Sequence, residues 1–247
     1  VHHAKDAAIG TEKTSSIATR HGAFAAINAG FFRLDNSTFA GDAAGLMMID
    51  GQLVSESTNN RIALQILNRK KATEVAIGRF DINPWFGSFD SRFQVKLAGI
   101  NRETKENELV LFSSFFGPTT LSTAAGTGIV LSNCKQKKYY KKELLALCEN
   151  FEIRPDVKNT SIPKDGFVIS TGSKDFKDRM LLLNELKVYE LENKKKRSVY
   201  VRYEDALTSS NIFEVDKDIV AGVPQLIKNG KIDITWEQEK TNKAFVE

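Results

Sequence analysis

The sequence contains no run of eighteen apolar residues, so nothing in it reads as a membrane-spanning helix. It has no Gly-rich loop of the P-loop or dinucleotide-binding kind, and no cofactor is expected. Histidine is scarce: His2, His3 and His21 show no metal-ligand spacing, no second cluster joins them, and no metal is expected. No Ser-His-Asp or Cys-His pattern offers a nucleophile. The two cysteines, Cys134 and Cys148, close a short loop if paired and are equally compatible with buried thiols. Two tryptophans against sixteen phenylalanines favour aromatic core packing over a base-stacking surface, and no nucleic-acid motif accompanies them. No signal peptide is visible, and a start at Val1 without methionine fits a processed or trimmed N-terminus.

What is present suits a folded chain. Hydrophobic residues make up 41% of the 247, enough for a sizeable core, and charged residues at 27% are ordinary for a soluble protein. The net charge of +4 is mild, but Lys and Arg cluster at Arg69 to Lys71, Lys135 to Lys142 and Lys194 to Arg197. Such runs are solvated turns or, on the sharper reading, a basic rim that attracts a phosphate-bearing ligand.

The patterning is strand-rich. "GLMMIDGQLVSE" (45–56) and "PQLIKNGKIDI" (224–234) each place an Asx-Gly pair between apolar arms, which predicts hairpins closed by type I′ turns. Further strands are expected at 61–67, 73–80, 93–100, 108–116, 128–132, 166–170 and 198–203. "TSSIATRHGA" (14–23) reads as a short helix capped by Thr14 or Ser15 and stopped at Gly22. After Ser173, "KDFKDRMLLLNEL" predicts a helix with Phe176, Met180, Leu183 and Leu186 near one face and Asp175 in its first turn. Residues 134–160, rich in Lys, Tyr and Asn, read as a surface insertion. Helices do not alternate with strands, so the expected fold is α+β, one domain over 1–247 with a mixed, strand-rich sheet, several hairpins and a few packed helices.

One stretch concentrates unusual residues. "AFAAIN" (23–28) is a continuous apolar run, which predicts a buried strand ending at Asn28. Asn28 then either caps the turn at Ala29-Gly30 or presents a rigid carboxamide to a ligand. Gly30 permits close approach to the backbone, while Phe31 and Phe32 face opposite ways on extended chain, one packing and one forming an apolar wall.

These residues carry a resemblance. "GAFAAINAGFFR" followed by "GLMMIDGQLVSE" resembles the phosphodiester glycosidase family, whose pattern runs "A-x-x-A-I-N-G-G-[FY]-F" and then a D-G hairpin. "AGINRETKENELVLFSSFFGPTTLST", "IPKDGFVIS" and "DIVAGVPQLIKNGKI" resemble later segments of that family, in family order from about Thr14 to Phe245. Ala29 and Ala221 depart from family glycines. The family continues with "R-T-A-I-G" and "L-D-G-G-G-S", so the resemblance implies a C-terminal part beyond Glu247 that completes the site.

The activity implied is hydrolysis of the glycosyl–phosphate bond of a sugar-1-phosphodiester, small or polymeric, by a bacterial-type member that is secreted, periplasmic or in the cell envelope. A binding domain of the same fold, without turnover and directed at carbohydrate or exopolysaccharide, is the alternative. Glycosidases flank the scissile bond with two carboxylates. A phosphate leaving group makes cationic and amide donors more important. The candidate catalytic residues are accordingly Asn28, Asp42 and Glu237, with Gly30, Phe31, Phe32, Arg33, Arg61 and Gly222 as substrate-binding residues.

Overall fold

A computed structural model describes residues 1–89, 92–140, 143–172, 175, 177–191, 199–207 and 217–240. The chain forms two compact units, Val1–Ile82 with Asp205–Glu247, and Asn83–Glu204.

The first unit opens with helix α1 (Thr14–Arg20) and strands β1 (Met47–Ile49), β2 (Gln52–Ser55), β3 (Ile62–Arg69) and β4 (Ala72–Arg79). The second carries β5 (Ile82–Ser88), β6 (Gln94–Lys96), β7 (Gly99–Ile100), β8 (Leu109–Ser113), β9 (Gly126–Tyr140), β10 (Glu143–Val157), β11 (Phe167–Thr171), helix α2 (Lys177–Leu191) and β12 (Val199–Asp205). The chain then returns to the first unit with β13 (Lys217–Ala221), β14 (Ile227–Lys228) and β15 (Lys231–Ile232).

In the first unit a five-stranded sheet runs β2-β1-β13-β3-β4. β13 is its centre, antiparallel to β1 and β3 and buried at all five positions. Burial on both faces is why "IVA" (219–221) reads as a continuous apolar run rather than an alternating one. The first Asx-Gly pair makes its turn as expected, with positive φ at Asp50 and Gly51. The second forms the isolated pair β14–β15, again with positive φ at Asn229 and Gly230.

In the second unit an eight-stranded sheet runs β6-β5-β12-β10-β9-β11-β8-β7. β7 lies parallel to β8, which makes the sheet mixed, and β9 is antiparallel to both β10 and β11. β8 and β11 are buried at every position. Strands thus dominate both units, as the patterning predicts.

Several expectations need correction. "AFAAIN" is not a buried strand: residues 23–30 take no sheet partner among the described residues, and Phe24 and Ile27 are 106% and 88% exposed. An apolar run becomes a strand only where a sheet offers it a place, and β13 occupies the slot between β1 and β3. Residues 134–160, read as an insertion, supply the outer half of β9 and all of β10, both central in their sheet. Their basic composition hides the pattern because the apolar residues Leu144, Leu145, Ala146 and Cys148 are confined to one short stretch. Cys134 and Cys148 face each other across this hairpin and are joined by a disulfide.

The helix caps and faces also differ. α1 is preceded by Lys13, with no side-chain cap, and Thr14 is already helical. α2 starts at Lys177, so its buried face is Leu182 with Leu186, one turn apart, while Met180 is exposed. Asp175 precedes the helix and pairs with Arg179. Ser173, Phe176 and Lys194 to Arg197 lie outside the described residues.

Candidate functional site

Most of the predicted site residues meet at one end of the five-stranded sheet. Phe32 bridges Ala43, and the Phe31 carbonyl accepts from the Ala44 amide at 2.8 Å. Arg33 donates its amide to the Asp42 carbonyl at 2.8 Å and accepts from Gly41 at 2.8 Å. The 31–33 and 41–44 segments are therefore laced together by their backbones. This is why Asp42 lies beside Arg33 although the two are separated by a polar loop.

Glycine is required at two points of this junction. Gly30 has φ of 72°, and a β-carbon there would meet the Ala221 carbonyl and the Val220 side chain, each at 3.4 Å. Gly45 has φ of 135°, and a β-carbon would come within 2.8 Å of that of Ala221. The Ala221 methyl thus fills space that Gly45 leaves open, and its carbonyl lies against Gly30. The end of β13 is anchored by two amides: Ala221 donates to the Leu46 carbonyl at 2.8 Å and Gly222 to the Ile62 carbonyl at 2.8 Å.

The two predicted cations differ in availability. Arg33 pairs with Asp35 and lies over the Phe39 ring at 6.0 Å. Hydrogen bonds from the Ser37 hydroxyl, Arg33 and the Ser37 amide hold the Asp35 carboxyl down at about 2. Arg61 instead donates one guanidinium N–H to the Ala44 carbonyl at 2.9 Å, while its buried Nε has no hydrogen-bond partner among the described residues. A buried charged donor left open is costly unless something meets it.

Two predicted catalytic groups are exposed and are not joined to the junction by these hydrogen bonds. Asn28 is exposed and accepts a hydrogen bond from the Thr14 hydroxyl on α1, so it is neither at a strand end nor buried. Glu237 is exposed, with its carbonyl accepting from Lys240 at 3.0 Å.

Among the carboxylates that the fold buries, the one nearest in sequence to Glu237 is Glu239. It is fully buried and accepts from the Ile62 amide at 3.1 Å, Arg79 at 2.8 Å, the Gln225 amide at 3.3 Å and the Thr235 hydroxyl. Burial pushes its pKa up, but these hydrogen bonds outweigh that and hold it below the ordinary glutamate range. A carboxylate with four donors is structural mortar. Its spacing four residues after Thr235 was the one available signal, since a single helical turn puts the two on the same side. The buried carboxamide sought at position 28 occurs instead in the second unit. There Asn101 accepts from the Ser113 amide at 2.8 Å and donates to the Ser113 hydroxyl at 3.1 Å.

No protein-family model and no curated protein matches the chain. Two solved structures share the fold. A hypothetical protein from Synechocystis aligns with a TM-score of 0.66 at 18% identity, covering 97% of this chain and 39% of that one. A putative exported protein from Burkholderia pseudomallei K96243 aligns with a TM-score of 0.63 at 14% identity, covering 93% and 47%. The chain therefore spans less than half the length of either. No helix among the described residues is long and apolar enough to cross a membrane.

Proposed function

We propose that this chain belongs to a hydrolase of the phosphodiester glycosidase type, which cleaves the glycosyl–phosphate bond of a sugar-1-phosphodiester outside the cytoplasm. The observation that carries the reading is the junction itself. Gly30, Phe31, Phe32, Asp42, Arg61 and Gly222, distant in sequence, gather around the end of β13. Arg61, with its Nε unspent, is the group suited to a phosphate oxygen, and Gly30 lets a ligand approach the backbone. A departing phosphate leaves as an anion, so a preorganised cation lowers the barrier more than a proton donor does. Asp42 is the carboxylate of the junction. The exported neighbour and the Cys134–Cys148 disulfide support the compartment, because structural disulfides persist where the surroundings are oxidising.

A second reading, a non-catalytic carbohydrate-binding domain, draws on the position of Glu237. Of the two predicted acids only Asp42 is tied to the junction by hydrogen bonds and Glu237 is exposed, whereas the half-exposed Phe31 and Phe32 rings suit stacking on a sugar.

Sugar release from a UDP-sugar or a synthetic sugar-1-phosphodiester by the full-length protein tests the first reading. Arg61→Ala is expected to lower kcat about 100-fold or more, the usual cost of removing one charge-stabilising donor. Arg33→Ala, whose partner is Asp35, is expected to change it little. No release from any such substrate, with saccharide binding retained, would establish the second reading instead. Undiminished turnover in Asn28→Ala would remove that residue from the site.

A further inference from the structure

The N-terminal segment and the end of α1 bring together three side chains that the linear sequence keeps apart. His2 stacks on His21, with ring centroids 3.6 Å apart and planes 15° from parallel. Asp6 Oδ1 lies 2.9 Å from His21 Nε2. One ligand atom from each of His2, Asp6 and His21 falls within 4.8 Å of the other two, and all three residues are exposed.

We infer that His2, Asp6 and His21 form a binding site for a divalent transition metal, with zinc as the type ion. Two imidazoles and a carboxylate make up one of the common donor sets for zinc, which completes a tetrahedron with water. Metal–ligand distances of about 2.0–2.1 Å put neighbouring donors roughly 3.3 Å apart, so closing the cluster takes only side-chain rotation. Calcium and magnesium, which demand oxygen ligands, are disfavoured by the imidazoles.

The surroundings fit a metal despite one neighbouring cation. Arg20 pairs with the other oxygen of Asp6, Oδ2, and reaches Glu12 Oε2 at 2.7 Å. Its Nη1 also lies 3.0 Å from His21 Nε2, the atom a metal would take. On metal binding Arg20 keeps Asp6 Oδ2 and Glu12, and so becomes the hydrogen-bond partner that orients the ligating carboxylate. The competition with Arg20 makes the site weaker than one built without a cation nearby.

The site has a structural consequence. α1 has no fully buried residue, and its side-chain hydrogen bonds to the rest of the unit are Arg20 to Asp6 and Glu12 and Thr14 to Asn28. A metal joining His2 and Asp6 to His21 fastens the C-terminal end of α1 to the segment before it. Through Thr14 it also steadies the stretch that leads to Gly30.

Calorimetric titration of the full-length protein with zinc chloride alone tests the inference, alongside amide hydrogen exchange. The expected result is one zinc per chain and slowed exchange over residues 14–22. Asp6→Asn and His21→Ala, both at exposed positions and each verified for fold by circular dichroism, are expected to weaken binding at least tenfold and to abolish the exchange effect. His3→Ala and calcium serve as controls, with no change expected from either. Absence of zinc binding overturns the inference. So does binding that survives both Asp6→Asn and His21→Ala, since that would be the adjacent His2-His3 pair acting alone.

Discussion

The two Asx-Gly hairpins share a turn but not an environment. φ is 51° and 75° at Asp50 and Gly51, and 52° and 75° at Asn229 and Gly230. The arms of the first are sewn into the five-stranded sheet: β1 pairs with both β2 and β13, and Met48 is completely buried. Its tip is fastened as well, by the Asp50 amide to Asp218 Oδ1 at 2.9 Å and the Gly51 amide to the Lys217 carbonyl at 2.8 Å. All four strand residues of the second hairpin are exposed. It is held at its base by polar groups, with the Asp233 amide on the Leu226 carbonyl, the Gln225 side chain on Asp233, and Glu239 tying the Gln225 amide to Ile62 and Arg79. One hairpin is therefore stabilised by burial and the other by polar ties that include one buried carboxylate, although the two turns look alike.

Breaking the carboxylate should do the most damage. Glu239→Ala leaves two backbone amides without their acceptor and Arg79 without its anionic partner, and a loss of about 3–5 kcal/mol in unfolding free energy is expected, read by urea denaturation. The value should fall toward the lower end because Arg79 keeps 30% of its side chain in solvent. The same residue predicts a pH dependence. Its folded-state pKa is depressed, so its contribution is complete above the ordinary glutamate value of about 4.3 and is lost as pH falls through the folded value. Glu239→Gln should therefore flatten the acid limb of the stability profile; an unchanged limb would show that other carboxylates set it.

Met48→Ala opens a cavity under the first hairpin and should cost about 2–5 kcal/mol. The equivalent truncation on the second hairpin, Ile232→Ala at an 83% exposed site, should change stability by no more than about 0.5 kcal/mol. Equal effects from these two, measured by the same denaturation, would contradict the contrast.

Much of the strand content was legible because it rests on local pattern. β3, β4, β8, β11 and β12 fall where apolar runs with β-branched residues predict them. β5 escaped notice because Pro84 interrupts it, and β10 because its acidic and polar half alternates weakly. At the candidate site, Gly30, Arg61 and Gly222 each contact the segments around the end of β13, whereas Asn28 and Glu237 are exposed, and the buried Glu239 carries no signal in the local pattern strong enough to single it out. Glu237 and Glu239 sit in one short polar run, and only the packing against Ile62 and Arg79 separates a surface acid from a buried one.

By itself the sequence determined the turns, since Asp-Gly and Asn-Gly are the pairs that accept two successive positive φ angles without steric conflict. It also determined that the chain is strand-rich, through runs too short and too β-branched for helices. Tertiary structure alone decided which apolar runs are covered. "AFAAI" (23–27) and "IVA" (219–221) are both apolar runs, yet β13 lies between two strands while residues 23–28 lie exposed. The reason is physical: apolar composition states the cost of staying in water, but backbone hydrogen-bond partners, which other parts of the chain supply, decide whether that cost is relieved.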